Sequence, residues 1–163
     1  MLSDVRKDHE RVAAGLTRLE AELPFQVALL ARLLERHIAR LLAPHGLTLG
    51  PYRILHTVAA FGRMTQVELT RYVVIDKAQV SRATAQLEAA GLLETQSDEF
   101  DARRKWLRLS TSGRQKLADL RGELEERLDG LHEALGETPA DEILRALDRL
   151  NAHVAGELGW RST

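Results

Sequence analysis

The stretch from Asp76 to Leu92 reads Asp-Lys-Ala-Gln-Val-Ser-Arg-Ala-Thr-Ala-Gln-Leu-Glu-Ala-Ala-Gly-Leu, and its reading decides the fold. It is a helix with both ends marked. Asp76 can accept the backbone N–H groups that lack partners in a first turn, and Gln79, three residues on, completes a capping-box spacing. Gly91 supplies a left-handed stop. Steps of about 100° per residue bring Val80, Ala83, Thr84 and Leu87 to one side, with Ala78, Gln79, Ser81, Arg82, Ala85 and Gln86 on the other. The outer face is small, polar and uncharged apart from Arg82, where a solvated helix would carry Glu/Lys pairs. Such a face suits base edges in a major groove: Arg pairs with guanine, Gln with adenine, and a small side chain leaves room for a thymine methyl. The plain alternative is a packing helix whose outer face lacks charge by chance, and the flanking sequence has to decide between the two.

Upstream, Thr65-Gln66-Val67-Glu68 is a second capping box, opening a short helix with Val67, Leu69 and Tyr72 as its expected inner residues. Before it, Pro51 begins a short helix carrying Ile54, Leu55, Val58 and Phe61, and Gly62 ends it. Two short helices joined by a few residues, the second with a readable outer face, form a helix-turn-helix pattern. Downstream, Leu92–Gln96 and Lys105–Ser110 alternate as two strands around a long charged tip, which is a β-hairpin. Arg103, Arg104 and Lys105 sit together at that tip, and a tip of this kind can put an arginine into a narrow minor groove. A solvated turn balanced by Asp98, Glu99 and Asp101 is the competing view. Trp106 is expected to pack at the base of the strands.

The outer segments are helical. Residues 3–21 make a polar helix with Val5, Val12, Leu16 and Leu19 as its only resting points, and such a helix needs a partner. Pro24 opens a stronger helix to about Pro44, whose stripe of Phe25, Val27, Leu30, Leu34, Ile38, Leu41 and Leu42 implies burial on two sides. From Thr111 a long helix carries a seam of Leu117, Leu120, Leu124, Leu128, Leu131 and Leu135. Thr138-Pro139-Ala140-Asp141-Glu142 then starts a last helix, with Thr138 as cap and Pro139 in the first position. Neither has a domain of its own to bury against, so an isologous dimer is expected.

The whole chain sets wider bounds. With 23 Lys and Arg against 24 Asp and Glu, net charge gives no argument for a polyanionic partner, and any such case rests on local distribution. The absence of cysteine removes disulfides, thiolate metal sites and a thiol redox sensor. No uncharged run approaches the ~20 residues of a membrane span, and the chain reads as cytoplasmic. His9, His37, His45, His56, His132 and His153 are scattered without ligand spacing, so no metal or other cofactor is expected. No nucleophile with a neighbouring base, phosphate-cradling loop or paired carboxylates argue for an enzyme.

This order of elements resembles the MarR family of winged-helix regulators. The resemblance is carried by Leu47-Thr48 leading into Pro51-Tyr52-Arg53-Ile54-Leu55, by Thr65-Gln66-Val67-Glu68-Leu69, by Val80-Ser81-Arg82 with Leu87–Leu93, and by Asp101-Ala102-Arg103-Arg104-Lys105 with Leu107–Ser110 and Gly113. It spans about Pro24 to Leu158. It implies a mainly α fold with a small β-hairpin wing: a helical extension over 1–23, a dimerisation helix and turn over 24–50, a winged helix-turn-helix over 51–110, and dimerisation helices over 111–163. It also implies a homodimer on a pseudo-palindromic operator, usually a repressor, released by a small anionic or aromatic effector. Thr65, Gln66, Lys77, Ala78, Gln79, Ser81, Arg82, Gln86, Arg103, Arg104 and Lys105 are the expected DNA contacts, with Asp101 and Arg103 as a salt-bridged pair in the wing. His37, Arg53 and His56 are the candidate effector residues. The extension before Leu23 exceeds the family minimum, and dimer reinforcement is its simplest use. An activator, an effector-independent regulator, or a winged-helix adaptor for protein contacts remain the rival readings.

Overall fold

The computed structural model describes residues 2–73, 76–98, 101 and 104–159, with side chains described from residue 11 onward except at 127 and 128. The chain divides into two units at Leu49/Gly50.

In the first unit, α1 (Leu2–Glu20) and α2 (Leu23–Leu42) are joined by a tight turn. Glu22 N–H bonds the Leu19 carbonyl at 2.9 Å, and the Gln26 side-chain amide donates to the Glu20 carbonyl at 2.7 Å. Pro24 sits in the first turn of α2, where its missing N–H costs nothing. A 3-10 turn at Ala43–His45 follows, and Gly46, at φ 69°, reverses the chain so that Leu47 N–H reaches the Leu42 carbonyl at 3.2 Å. Leu41 and Leu42 are buried. Elsewhere on the expected stripe Phe25, Leu34 and Ile38 are half-buried, while Val27 is 42% and Leu30 54% exposed, and on α1 Val12, Leu16 and Leu19 are likewise exposed.

The second unit holds α3 (Leu49–Phe61), β1 (Met64–Thr65), α4 (Gln66–Tyr72), α5 (Lys77–Ala89), β2 (Leu93–Ser97), β3 (Lys105–Leu109), α6 (Thr111–Ala134) and α7 (Ala140–Glu157). Helix α3 starts two residues before Pro51 and stops at Gly62, whose φ of 78° is disfavoured for residues bearing a Cβ. The strands form one antiparallel sheet in the order β1-β3-β2. Leu93 pairs with Leu109 and Thr95 with Leu107, so the alternation of each strand turns Leu93, Leu107 and Leu109 inward. The core gathers them with Ile54, Leu55 and Val58 of α3, Met64 of β1, Leu69 of α4, Val80 and Leu87 of α5, and Leu120 of α6. Burying each of the aliphatic side chains stabilises the unit by about 1.5–3 kcal/mol.

The structure differs from the sequence reading at four points. Strand β1 lies beside the wing, two residues that alternation alone could not reveal. Val67 is 66% exposed rather than inner, because it stands two positions, about 200°, from the buried Leu69 on a two-turn helix. Tyr72 is also exposed and leans on Phe61, with ring centroids 5.0 Å apart. The last helix begins one residue later than expected: Pro139 is the cap position, with φ −62° and ψ 127°, and no side chain caps it.

In the leucine seam, Leu120 is fully buried while Leu131 is 41% exposed. On α7, Ile143, Leu144, Leu147, Leu150 and Val154 are all exposed in the single chain. No helix of the described residues is long and apolar enough to cross a membrane.

Candidate nucleic-acid interface

Helix α5 is positioned by its two ends. At the start, Asp76 Oδ1 accepts the Gln79 backbone N–H at 2.8 Å. That bond is the first cause holding the Asp76 carboxyl below its ordinary pKa, with smaller help from the Gln79 side chain, the Ala78 N–H and the Arg82 charge. At the other end, Gly91 adopts φ 67°, Leu92 N–H bonds the Leu87 carbonyl and Gly91 N–H bonds the Glu88 carbonyl, both at 2.9 Å. This pair of bonds is a Schellman stop. Between the ends, Val80, Ala83, Thr84 and Leu87 are buried, while Lys77, Ala78, Gln79, Ser81, Arg82, Ala85 and Gln86 are exposed. The Thr84 hydroxyl is buried with no hydrogen-bond partner among the described residues.

Helix α4 braces α5 and carries the capping box in full. Thr65 N–H donates to Glu68 Oε2 at 2.7 Å, the Thr65 hydroxyl donates to the same oxygen at 3.0 Å, and Glu68 N–H donates back to Thr65 Oγ1 at 3.2 Å. The Thr65 N–H is the first cause of a lowered Glu68 pKa, with the hydroxyl, Arg104 and Arg71 adding to it. Thr65 is therefore committed to the helix start, while Gln66, the first residue of α4, is exposed.

The wing places its cations unequally. Asp98 N–H bonds the Arg104 carbonyl at 2.9 Å and Arg104 N–H bonds the Asp101 carbonyl at 2.8 Å, which narrows the hairpin above β2 and β3. Lys105 is exposed at the start of β3. The Arg104 side chain turns inward, to Glu68 at 3.6 Å and over the Trp106 ring at 4.2 Å. Arg108 pairs with its cross-strand neighbour Glu94 at 3.1 Å. The expected pair of Asp101 with Arg103 lies outside the described residues at Arg103. Trp106 is held by more than packing, since its indole N–H donates to Asp98 Oδ2 at 2.7 Å and Arg63 also lies over its ring, 4.4 Å from the centroid. Neither Arg63 nor the partners of Trp106 emerged from sequence reading, because β1, which carries Arg63 to the sheet, was not read.

The effector candidates fall in both units. His37 is exposed on α2, and Arg53 is half-buried on α3. His56, exposed on α3, lies against Tyr52 with ring centroids 5.8 Å apart. Burial raises the Tyr52 pKa. No group of three or more His, Asp or Glu among the described residues could hold a metal ion.

Two short helices at a turn, the second presenting a bare polar face, with a three-stranded sheet and hairpin beside them, define a winged helix-turn-helix. Residues 45–104 match the model of the MarR family. The fold is similar to that of a MarR family transcriptional regulator from Silicibacter pomeroyi, at 23% identity over 85% of this chain and 91% of that one, with a TM-score of 0.72. A MarR family regulator from Neisseria meningitidis matches at 23% identity over 84% and 94%, with a TM-score of 0.68. A mutant MarR from E. coli complexed with operator DNA matches at 22% identity over 82% and 99%, with a TM-score of 0.61. No curated protein matches the sequence. The chain has a winged-helix fold similar to that of structures described as MarR family transcriptional regulators.

Proposed function

We propose that this chain is a homodimeric, sequence-specific DNA-binding regulator of transcription that represses from a pseudo-palindromic operator. The observation that carries this reading is the outer face of α5, where Ala78, Gln79, Ser81 and Arg82 stand exposed near the start of a helix braced by α4. Recognition helices of this class point their N-terminal residues at base edges. Lys77 and Gln66 flank the same end and suit phosphates, as do Arg104 and Lys105 of the wing. Gln86 lies further along α5, toward the backbone. A protein of similar fold was solved in complex with operator DNA, which supports a DNA-binding reading here.

The dimer is proposed from the apolar faces of α1, α2 and α7, where Leu16 is 49%, Leu30 54% and Leu144 58% exposed in the single chain. Apolar faces of this extent mark interaction sites. A two-fold pairing would give two copies of α5, and copies about 34 Å apart would read half-sites one turn of duplex apart. A small anionic or aromatic effector is proposed to release the operator, with His37, Arg53 and His56 as the residues to substitute one at a time.

Fluorescence anisotropy with duplexes from immediately upstream of the gene tests the reading. Binding at nanomolar dimer is expected, with log affinity falling by about 0.9 per neutralised phosphate for each unit of log salt. No salt-sensitive binding at micromolar dimer would refute it.

A further inference from the structure

Trp106 collects two guanidinium groups on one ring. Arg63 lies 4.4 Å and Arg104 4.2 Å from its centroid, while the indole N–H is anchored on Asp98 at 2.7 Å. The backbone fixes the arrangement: Thr65 is paired with Trp106 across β1 and β3, which brings Arg63, two residues earlier, to the edge of the sheet. A hydrophobic strand position needs no indole, and Leu or Val would fill it. A guanidinium stacked on an aromatic face keeps its in-plane N–H donors turned outward, and those donors match phosphate oxygens. Two like charges held against one part-exposed ring gain most from a polyanion. One edge of Arg104 is drawn to Glu68 at 3.6 Å, but both side chains are part-exposed, a setting in which ion pairs exchange readily.

We propose that Trp106 is a positioning residue that holds Arg63 and Arg104 as a paired clamp for the phosphates of duplex DNA at the foot of the wing. This rests on the DNA-binding reading and adds Arg63 to its contacts. Prior stacking removes side-chain freedom that each arginine would otherwise lose on binding, so the indole contributes affinity without touching DNA. The clamp acts on backbone, so its effect is the same for every sequence.

The test is anisotropy with a mixed-sequence duplex over a series of sodium chloride concentrations. Arg63→Ala should bind several-fold more weakly and lower the salt slope by about 0.9 per subunit. Trp106→Leu, which removes no charge, should lower the slope comparably, and Trp106→Phe, which keeps a ring, should restore most of it. A folded Trp106→Leu with the parent's affinity and slope would overturn the proposal. Should that variant fail to fold, Arg63→Ala decides alone, since an unchanged slope there also overturns it. A parent that binds no duplex would instead refute the DNA-binding reading, and the clamp with it.

Discussion

The Ser110 hydroxyl donates to the carbonyl of Gly91 at 2.6 Å, tying the end of β3 to the stop of α5. The same oxygen accepts the Gly113 N–H at 2.9 Å, and Ser110 N–H bonds the Leu92 carbonyl at 3.1 Å. One buried serine thus joins the close of α5 to the start of α6. Gly113 permits the approach, since a Cβ there would stand 2.1 Å from the Leu92 oxygen, a backbone atom that no rotamer change can move.

Ser110→Ala leaves the part-buried Gly91 carbonyl and the buried Gly113 N–H short of a partner and should cost about 1–3 kcal/mol. Gly113→Ala forces the first turn of α6 away from Leu92 and should cost about 2 kcal/mol or more. Urea unfolding checks both. Midpoints equal to the parent's would mean that this junction contributes nothing.

Thr84 presents the opposite case, a hydroxyl buried on the inner face of α5 with no partner among the described residues. Thr84→Val keeps the shape and removes the unpaired group, so stability should rise by about 1 kcal/mol with DNA affinity unchanged. Thermal unfolding and anisotropy read the two effects separately.

The α4 cap predicts an acid limb. The Glu68 carboxyl is held below its ordinary value, chiefly by the Thr65 N–H, so its contribution is fully present above the unfolded pKa, near 4.5, and is lost as pH falls through the lower folded value. Stability from this group should therefore be flat from pH 7 to 5 and decline below about 4. Glu68→Gln should flatten that limb, and Thr65→Ala should cost about 1 kcal/mol at neutral pH. Equilibrium unfolding across the pH series measures both.

Much of this was legible before the fold was known, for definite reasons. The two faces of α5 follow from a 3.6-residue period and came out residue by residue. The caps at Thr65 and Asp76 and the stop at Gly91 are local chemistry, readable within a few positions. What was missed depends on distant partners. Strand β1 is too short to alternate and exists only because β3 lies beside it. Arg104 reads as a free wing-tip cation, yet Glu68 and Trp106 draw it in, and both are remote in sequence or on another element. Val67 and Tyr72 suit an inner face by residue type, whereas the geometry of a seven-residue helix leaves room inward for Leu69.

The proposed dimer makes a prediction of its own. Leu144 and Val154 on α7 are 58% and 50% exposed in the single chain, so a charge at either costs little within one subunit. Leu144→Glu combined with Val154→Glu should shift the protein to monomer in sedimentation equilibrium and abolish high-affinity operator binding, while the helical signal by circular dichroism persists. A dimer that survives both changes would place the interface elsewhere.

The central claim is that the outer face of α5 reads bases, and the specificity ratio tests it most directly. Affinity for the operator is divided by affinity for a scrambled duplex at one salt concentration, for the parent and for the variant carrying Gln79→Ala and Arg82→Ala. Each base contact is worth about 1–3 kcal/mol of discrimination, so the ratio should fall by about ten-fold or more while dimerisation and binding to the scrambled duplex change little. A variant that keeps the parent's ratio would contradict the account.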